Sequence, residues 1–326
     1  MVGITGASGF VGQNLVAYLE TSGISQLAIT RQELQDGDFT KIDNANSLIH
    51  LAGKAHDLKS VSNPEDYIKI NFELTKKLYD AFLQSSCTKF IFISSVKAVA
   101  DHLDNVLTEE FVPNPKTPYG VSKLMAEKYI QAQPLPEGKS YYILRPCMIH
   151  GPGNKGNLNM LYKMISARIP YPLAAFKNKR SFLSVKNLCF IIKELVERSD
   201  METGVYNVSD DDPLSTNEVV QILANSLNRK ALVLKLPKKV IFKLFKVLDK
   251  FEAPLNSYHL EKLTESFEVS NAKIKNMLNK ELPLNSKQGI AVTAISFQKR
   301  KSIVSLYFLL IRRALQNLMT YHLLLF

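Results

Sequence analysis

VGITGASGFVGQNLVAYL, Val2 to Leu19, is the stretch on which the reading of this chain turns. Val2 to Thr5 is a short apolar run of strand character. From about Phe10 an apolar helical pattern follows and ends near Gly23. Between the two stand Gly6, Gly9 and Gly12. Strand, glycine-spaced loop and helix, in that order, predict a backbone cradle. The N–H groups of a helix N-terminus attract negative charge, and residues without Cβ let a phosphate come close to them. The spacing is GxxGxxG, so its first glycine departs from the GxGxxG fingerprint, but the context is the one that a dinucleotide's pyrophosphate requires.

The pattern repeats outward from there. Gln26 to Thr30, Ser47 to Ala52, Phe90 to Ser94 and Tyr141 to Leu144 read as further strands separated by helical stretches, as in a parallel sheet with crossover helices. The predicted fold is α/β, a Rossmann-like doubly wound parallel sheet over residues 1–150. After 150 the pattern is looser and more helical, which predicts a smaller C-terminal substrate-binding lobe over 151–290. Residues from Tyr206 onward, including EVVQILANSL, read as an amphipathic helix on that lobe. At the end of the second strand an acid would bond a ribose 2′-hydroxyl, whereas an arginine would favour a 2′-phosphate. Arg31 follows QLAIT with no acid before Glu33, which favours NADP over NAD unless Arg31 is simply a solvated loop residue.

Composition narrows the classes. The chain has 326 residues, 46% hydrophobic and 22% charged, enough to bury a sizeable core. Three widely spaced cysteines, Cys87, Cys147 and Cys189, make neither a disulfide framework nor a metal site, and fit a reducing cytoplasm. The chain opens almost directly in a strand, which predicts no signal peptide. The net charge is +11, but Lys287, Lys299, Arg300, Lys301, Arg312 and Arg313 contribute six of it in the last 40 residues without a single acid. No aromatic-and-basic module accompanies them, so nucleic acid is not the expected partner.

TPYGVSKLMAEKYI, Thr117 to Ile130, is the second informative stretch. Pro118 suits a first helical turn and Thr117 an N-cap, so a helix begins near 118. Tyr119 and Lys123, four apart, then share one face, while Val121, Leu124 and Met125 point elsewhere, toward a core. Alone the pair carries no weight: a chain with 13 Tyr and 32 Lys contains about one YxxxK by chance, and Tyr258 with Lys262 is a second that reads as surface.

Taken together, TGASGFVG, LIHLAG at 48–53, FISSVKAV at 92–99, YGVSK, LRPCMIHGPG at 144–153 and RSFLSVKNL at 180–188 resemble the extended short-chain dehydrogenase/reductase family, and within it the bacterial nucleotide-sugar epimerases and 4-reductases of surface-polysaccharide pathways. The resemblance implies a cofactor, NAD or NADP, at Gly6, Gly9, Phe10, Val11, Gly12, Arg31, Leu51, Ala52, Tyr119 and Lys123. It implies Ser95, Tyr119 and Lys123 as the catalytic set, with Ser94 closing the strand. Tyr119 would be the base, and since a tyrosine ordinarily titrates near 10, Lys123 and the oxidised nicotinamide would have to favour its ionised form. The related dehydratases carry an Asp-Glu pair after the serine. Val96 and Lys97 stand there, which disfavours dehydration and leaves Lys97 either a substrate contact or a surface residue. Asn157, with Asn154 and Asn159 as neighbours in contention, and Arg180 match the positions that hold the substrate diphosphate. His150 replaces a more usual tyrosine and reads as structural.

These features predict a cytoplasmic enzyme acting on a UDP-linked sugar, a 4-epimerase or an NADPH-dependent 4-reductase, with the family resemblance implying a homodimer. A non-catalytic dinucleotide-binding regulator is disfavoured by the retained Ser, Tyr and Lys. The resemblance ends near residue 290. The apolar run from Ile303 to Ile311 is too short to span a bilayer. Residues 291–326 read either as a basic, amphipathic segment making peripheral membrane contact or as a nonnative extension.

Overall fold

The computed structural model describes residues 1–54, 63–154, 156–250, 260 and 263–298. Its strands are β1 (Val2–Thr5), β2 (Gln26–Ile29), β3 (Ser47–His50), β4 (Lys89–Ile93), β5 (Ser140–Pro146), β6 (Met148–His150), β7 (Phe182–Ser184) and β8 (Gly204–Val208). Six of them form one sheet in the order β2-β1-β3-β4-β5-β8, and β6 pairs with β7. Every ladder in the large sheet is parallel, with Val2 opposite both Gln26 and Ser47. The order reverses direction at β1, so the crevice beyond the carboxyl ends of β1 and β3 is the topological switch point where α/β sheets take their ligands.

Crossover helices supply the apolar cover. They are α1 (Phe10–Thr21), α2 (Arg31–Asp36), α3 (Pro64–Tyr67) running through a π-helical segment Ile68–Glu73 into α4 (Leu74–Gln84), and α5 (Pro118–Ala132). Buried Leu78, Tyr79 and Phe82 of α4 and Ala126 and Ile130 of α5 pack with Leu48, Phe90, Phe92 and Ile143 from alternate strand positions. Fully burying each such Leu or Phe contributes about 2–3 kcal/mol.

The chain divides into two compact units. The first comprises Met1–Ile149, Ser181–Asp211 and Glu268–Leu284; the second comprises His150–Arg180, Asp212–Phe267 and the described residues from Asn285. The expected boundary near 150 is thus where the chain first leaves the sheet unit, but residues 151–290 are not one continuous lobe. The chain returns at 181–211 because β8 supplies the sixth strand, pairing with β5 from Tyr142↔Gly204 to Pro146↔Val208. Tyr206 to Val208 therefore belong to a strand rather than a helix. Helix α8, after α6 (Asn157–Ser166) and α7 (Val185–Glu197), runs Thr216–Ser226 and opens with a capping box between Ser215 and Glu218.

Helix Ser286–Gln298 buries Ile290, Ala294 and Phe297 in the second unit, where the Phe297 ring lies 5.2 Å from that of Tyr162. Residues 291–298 of the segment set apart in the sequence thus pack within the second unit, and residues 299–326 lie outside the described residues. Among the described residues no helix is long and apolar enough to cross a membrane, no cluster of metal-ligating side chains occurs, and all three cysteines are buried free thiols.

One polar chain runs beneath the switch point. Ala52 N–H donates to Thr5 Oγ1 at 3.1 Å, Thr5 Oγ1 lies 2.7 Å from His50 Nδ1, His50 Nε2 lies 2.9 Å from Thr75 Oγ1, and Thr75 donates to the Asn71 carbonyl at 2.7 Å. Donor and acceptor balance assigns the ring proton to Nε2. Burial, with the Lys123 charge adding to it, pushes the pKa of His50 down to about 3. The unfolded chain binds this proton near pH 6.5, so stability is lost as pH falls below that value. Between pH 7 and 4.5 we expect His50 to account for about 2 kcal/mol of lost unfolding free energy, a component absent from His50→Gln and measurable by urea titration at each pH.

Candidate active site

The glycine loop has the shape that its spacing predicts. Gly6 takes φ 72°, and a Cβ there would come within 2.8 Å of Ala52 N. A Cβ on Gly12 would be driven into the carbonyl oxygens of Gly6 and Ala7. Gly9 caps α1 with extended backbone and no side-chain acceptor, so the first-turn N–H groups of Phe10, Val11 and Gly12 keep the open polarity of a helix N-terminus. This cradle fits a pyrophosphate. Leu51 and Ala52 follow β3, their N–H groups donating to Thr5 O at 3.3 Å and Thr5 Oγ1 at 3.1 Å. Arg31 is exposed at the start of α2, just past β2. Glu33 is committed elsewhere: it closes the capping box on Thr30 and pairs with Lys41 at 2.6 Å, hydrogen bonds that hold its carboxyl down to about 2.

Helix α5 starts where the sequence places it. Pro118 occupies the first turn, and Thr117 Oγ1 accepts from Gly120 N–H at 3.2 Å. The Asp101 carboxylate accepts from Lys116 N–H at 2.8 Å and Thr117 N–H at 3.2 Å, fixing the entry to the helix. Ser95 follows the end of β4 and caps the short turn Val96–Ala98, accepting from Lys97 N–H at 3.2 Å. Its hydroxyl also acts on the phenol of Tyr119, favouring the ionised form against burial. Ser95, Tyr119 and Lys123 are therefore brought into one group.

Two electrostatic expectations change. Burial raises the Tyr119 pKa above 10, and the Ser95 hydrogen bond only partly opposes it. Lys123 does not produce the expected depression here, because its ammonium is engaged elsewhere: Nζ donates to Ile93 O at 2.9 Å and stands 4.7 Å over the Phe92 ring. Burial, opposed by Glu127, brings Lys123 itself down to about 8. Moreover, the fully buried face of α5 is the polar one. Ser122, Lys123, Ala126, Glu127 and Ile130 are buried, whereas Val121, Leu124 and Met125 are only half-buried.

Sequence reasoning missed the groups that support this face. Glu127, one turn beyond Lys123, is 0% exposed and accepts from Arg145 of β5, Nε to Oε1 at 3.1 Å and Nη2 to Oε2 at 2.5 Å, and from the Ser94 hydroxyl. The four-residue step from Tyr119 through Lys123 to Glu127 was the available signal. Asn71, in the π-helical segment, is also 0% exposed. Its Oδ1 accepts from Lys54 N–H at 2.7 Å, and its Nδ2 donates to Lys54 O and Ser122 Oγ, both at 3.1 Å. A Cβ on Gly53 would meet Asn71 Oδ1 at 3.0 Å and Lys123 Nζ at 3.3 Å. The loop after β3 thus touches the glycine cradle at Ala52 and the lysine at Gly53. No local pattern announces Asn71, since a π turn breaks helical spacing.

The remaining candidates are distributed otherwise. Lys97 Nζ donates to Asp101 O at 2.7 Å. Asn157 opens α6 and Arg180 pairs by its backbone with Leu214, both within the second unit. Asn154 Oδ1 accepts from Gly156 N–H at 2.6 Å, shaping the turn into α6. His150 is buried with Nδ1 2.8 Å from Thr293 Oγ1, in keeping with a structural histidine. Tyr258 and Lys262 lie outside the described residues.

A parallel doubly wound sheet, a glycine cradle at its switch point and a Ser-Tyr-Lys group on the neighbouring strand and helix define a dinucleotide-dependent oxidoreductase class. The profile of the NAD dependent epimerase/dehydratase family matches residues 2–209. The chain belongs to that family, and is an NAD(P)-dependent enzyme of its nucleotide-sugar epimerase and reductase type. A UDP-glucose 4-epimerase of Vibrio cholerae is 29% identical over 318 residues, covering 90% of this chain and 94% of that protein. The N-acetyl-alpha-D-glucosaminyl-diphospho-ditrans,octacis-undecaprenol 4-epimerase of Escherichia coli O157:H7 is 29% identical over 72% of this chain and 74% of its own. Among solved structures, that of RMD from Pseudomonas aeruginosa complexed with NADPH superposes with a TM-score of 0.71 at 22% identity, covering 92% of this chain and 99% of that one.

Two stability measurements test this electrostatic account. A buried ammonium whose pKa lies below its ordinary 10.5 destabilises the fold fully below about pH 8, and less as pH rises toward 10.5. Lys123→Met is expected to raise unfolding free energy at pH 7 by about 2 kcal/mol in urea titration while abolishing turnover. Glu127→Gln strands the buried Arg145 charge and is expected to lower stability by about 3 kcal/mol in the same assay.

Proposed function

We propose that this protein is a cytoplasmic 4-epimerase of a UDP-linked hexose or N-acetylhexosamine, working through a 4-keto intermediate in the supply of surface-polysaccharide precursors. The observation that carries the reading is the placement of Ser95, at the end of β4, beside Tyr119 at the start of α5, with Lys123 one turn on and a loop that touches the glycine cradle. The two named 4-epimerases among its relatives support it.

The chemistry requires a hydroxyl to lose its proton as its carbon loses hydride. Tyr119, as phenolate, takes the proton from the C4 hydroxyl, and Ser95 donates to the same oxygen, so the oxygen is gripped from two sides. Lys123 stands one turn along the same helix, and a cation at about 4 Å and an effective dielectric of about 20 would be worth roughly 4 kcal/mol to the phenolate before screening, a contribution that requires the ammonium to turn away from Ile93 O. The dinucleotide would be held by Gly6, Gly9, Phe10, Val11 and Gly12 at its diphosphate and by Leu51, Ala52 and Lys123 further on, and would supply a hydride acceptor and, when oxidised, a second cation. Asn157 and Arg180 hold the substrate diphosphate, the guanidinium by its planar fork. Val96 and Lys97 provide no acid and base pair for eliminating water.

A second reading has its own observation. Glu33 is tied to Thr30 and Lys41 while Arg31 is exposed past β2, which favours a 2′-phosphate and hence an NADPH-dependent 4-reductase of a UDP-4-keto-6-deoxy-N-acetylhexosamine.

A panel of UDP-sugars with and without NADPH separates the two. Interconversion of C4 epimers without net cofactor use is the expected outcome; NADPH consumption with a 4-keto substrate would move the assignment to the reductase. Tyr119→Phe is expected to lower kcat about a thousandfold with cofactor binding intact. Inertness of the wild type toward every sugar would remove the catalytic reading.

A further inference from the structure

The two units differ sharply in charge. Lys and Arg set against Asp and Glu leave the three segments of the sheet unit at −4 and the rest of the chain at +15, together the +11 of the whole. A substrate diphosphate accounts for only part of that surplus. Its densest described portion is residues 219–248, which hold Arg229, Lys230, Lys235, Lys238, Lys239, Lys243 and Lys246 and no acid at all.

The local structure turns this stretch outward. Tyr171 N–H donates to Leu232 O at 2.7 Å and Leu234 N–H to Tyr171 O at 2.8 Å, fixing the segment ahead of helix α9 (Lys238–Lys250). Ile241 and Phe245, four apart, are buried and seat that helix. Lys239, Lys243 and Lys246 then lie on the opposite side, exposed, with Val240 and Phe242 on its flanks at 42% and 50% exposure. Leu232 and Val233 just upstream are 52% and 47% exposed. Leu232 also lines a cavity of about 300 Å³ with Ile165, Arg168, Ile169, Asn228, Arg229 and Lys230, so that three cations and three apolar side chains share its wall.

Part of this has a plain structural use, since cations at the carboxyl ends of α6 and α8 offset the helix dipoles, as where Arg229 donates to Ser166 O at 3.0 Å. A solvated lysine face, however, does not call for four large exposed apolar side chains within eleven residues. Lysines interleaved with exposed Phe, Val and Leu on a surface helix match an anionic lipid surface, where the cations meet headgroup phosphates and the apolar groups enter the headgroup boundary.

We propose that residues 229–246 form a docking surface for an anionic phospholipid bilayer, with the cavity at Arg168, Arg229 and Lys230 taking one lipid phosphate. This surface is distinct from residues 299–326 and independent of which sugar the enzyme takes.

Vesicle co-sedimentation of the full chain tests it. Vesicles of about 30% phosphatidylglycerol in phosphatidylcholine should bind the protein at about 0.1 M salt, pure phosphatidylcholine should not, and about 0.5 M NaCl should weaken binding at least tenfold. The triple variant K239E/K243E/K246E should lose about tenfold or more in affinity with an unchanged thermal midpoint, and Phe242→Ser should lose a smaller factor. The corresponding Lys→Gln triple reads the same point if charge reversal alters the melt. Failure to bind, equal binding to neutral vesicles, or a triple variant that binds like wild type would overturn the proposal, the last by assigning the contact to residues 299–326. Competition by inorganic phosphate at the same phosphate concentration, or equal affinity for a DNA duplex, would reduce the surface to a general anion site and overturn it as well.

Discussion

An ammonium buried to 5% exposure beneath the carboxyl edge of the sheet is the constraint around which the first unit is arranged. Lys123 carries a positive charge into low dielectric, which is expensive unless partners surround it. Ile93 O accepts from it, the Phe92 ring lies beneath it, and Glu127 stands one turn away. Glu127 is itself a buried charge, and it is tolerable only because Arg145 and Ser94 bond it. The cost of one buried cation is thus spread over α5, β4 and β5.

The same reasoning explains why the buried face of α5 is polar. A core helix ordinarily buries its apolar stripe, yet here Ser122, Lys123 and Glu127 are inside and Leu124 and Met125 are half outside. Each buried polar group finds a partner on another element, Asn71 for Ser122 among them. Asn71 sits where the helix is π-wound, and such windings are frequent at functional sites because they re-aim a side chain. It joins the loop after β3 to the helix that bears Tyr119 and Lys123, and through Thr75 and His50 that loop is tied back to β1.

The legible parts of the sequence share one property: their signals are local. The glycine spacing before Phe10, the Thr117-Pro118 entry and the first five strands each depend on a few consecutive residues, and the structure places all of them within a residue or two of expectation. β8 was not legible, because GVYNV is short and its partner β5 lies some sixty residues earlier. Neither was the extent of the C-terminal fold: Ile290, Ala294 and Phe297 form a buried stripe only once Tyr162 and its neighbours are there to receive them.

By itself, then, the sequence determined the fold class, the glycine cradle and that Tyr119 and Lys123 share a helix, since spacing along a strand or helix dictates which residues share a face; Ser95 joined them only through the family resemblance. Tertiary structure alone decided the protonation energetics and the supporting cast. Whether Tyr119 titrates above or below 10, where the Lys123 ammonium points, and that Asn71, Glu127 and Arg145 stand behind them all depend on burial and on contacts between residues far apart in sequence. Burial is a property of the packed chain, and no window of residues carries it.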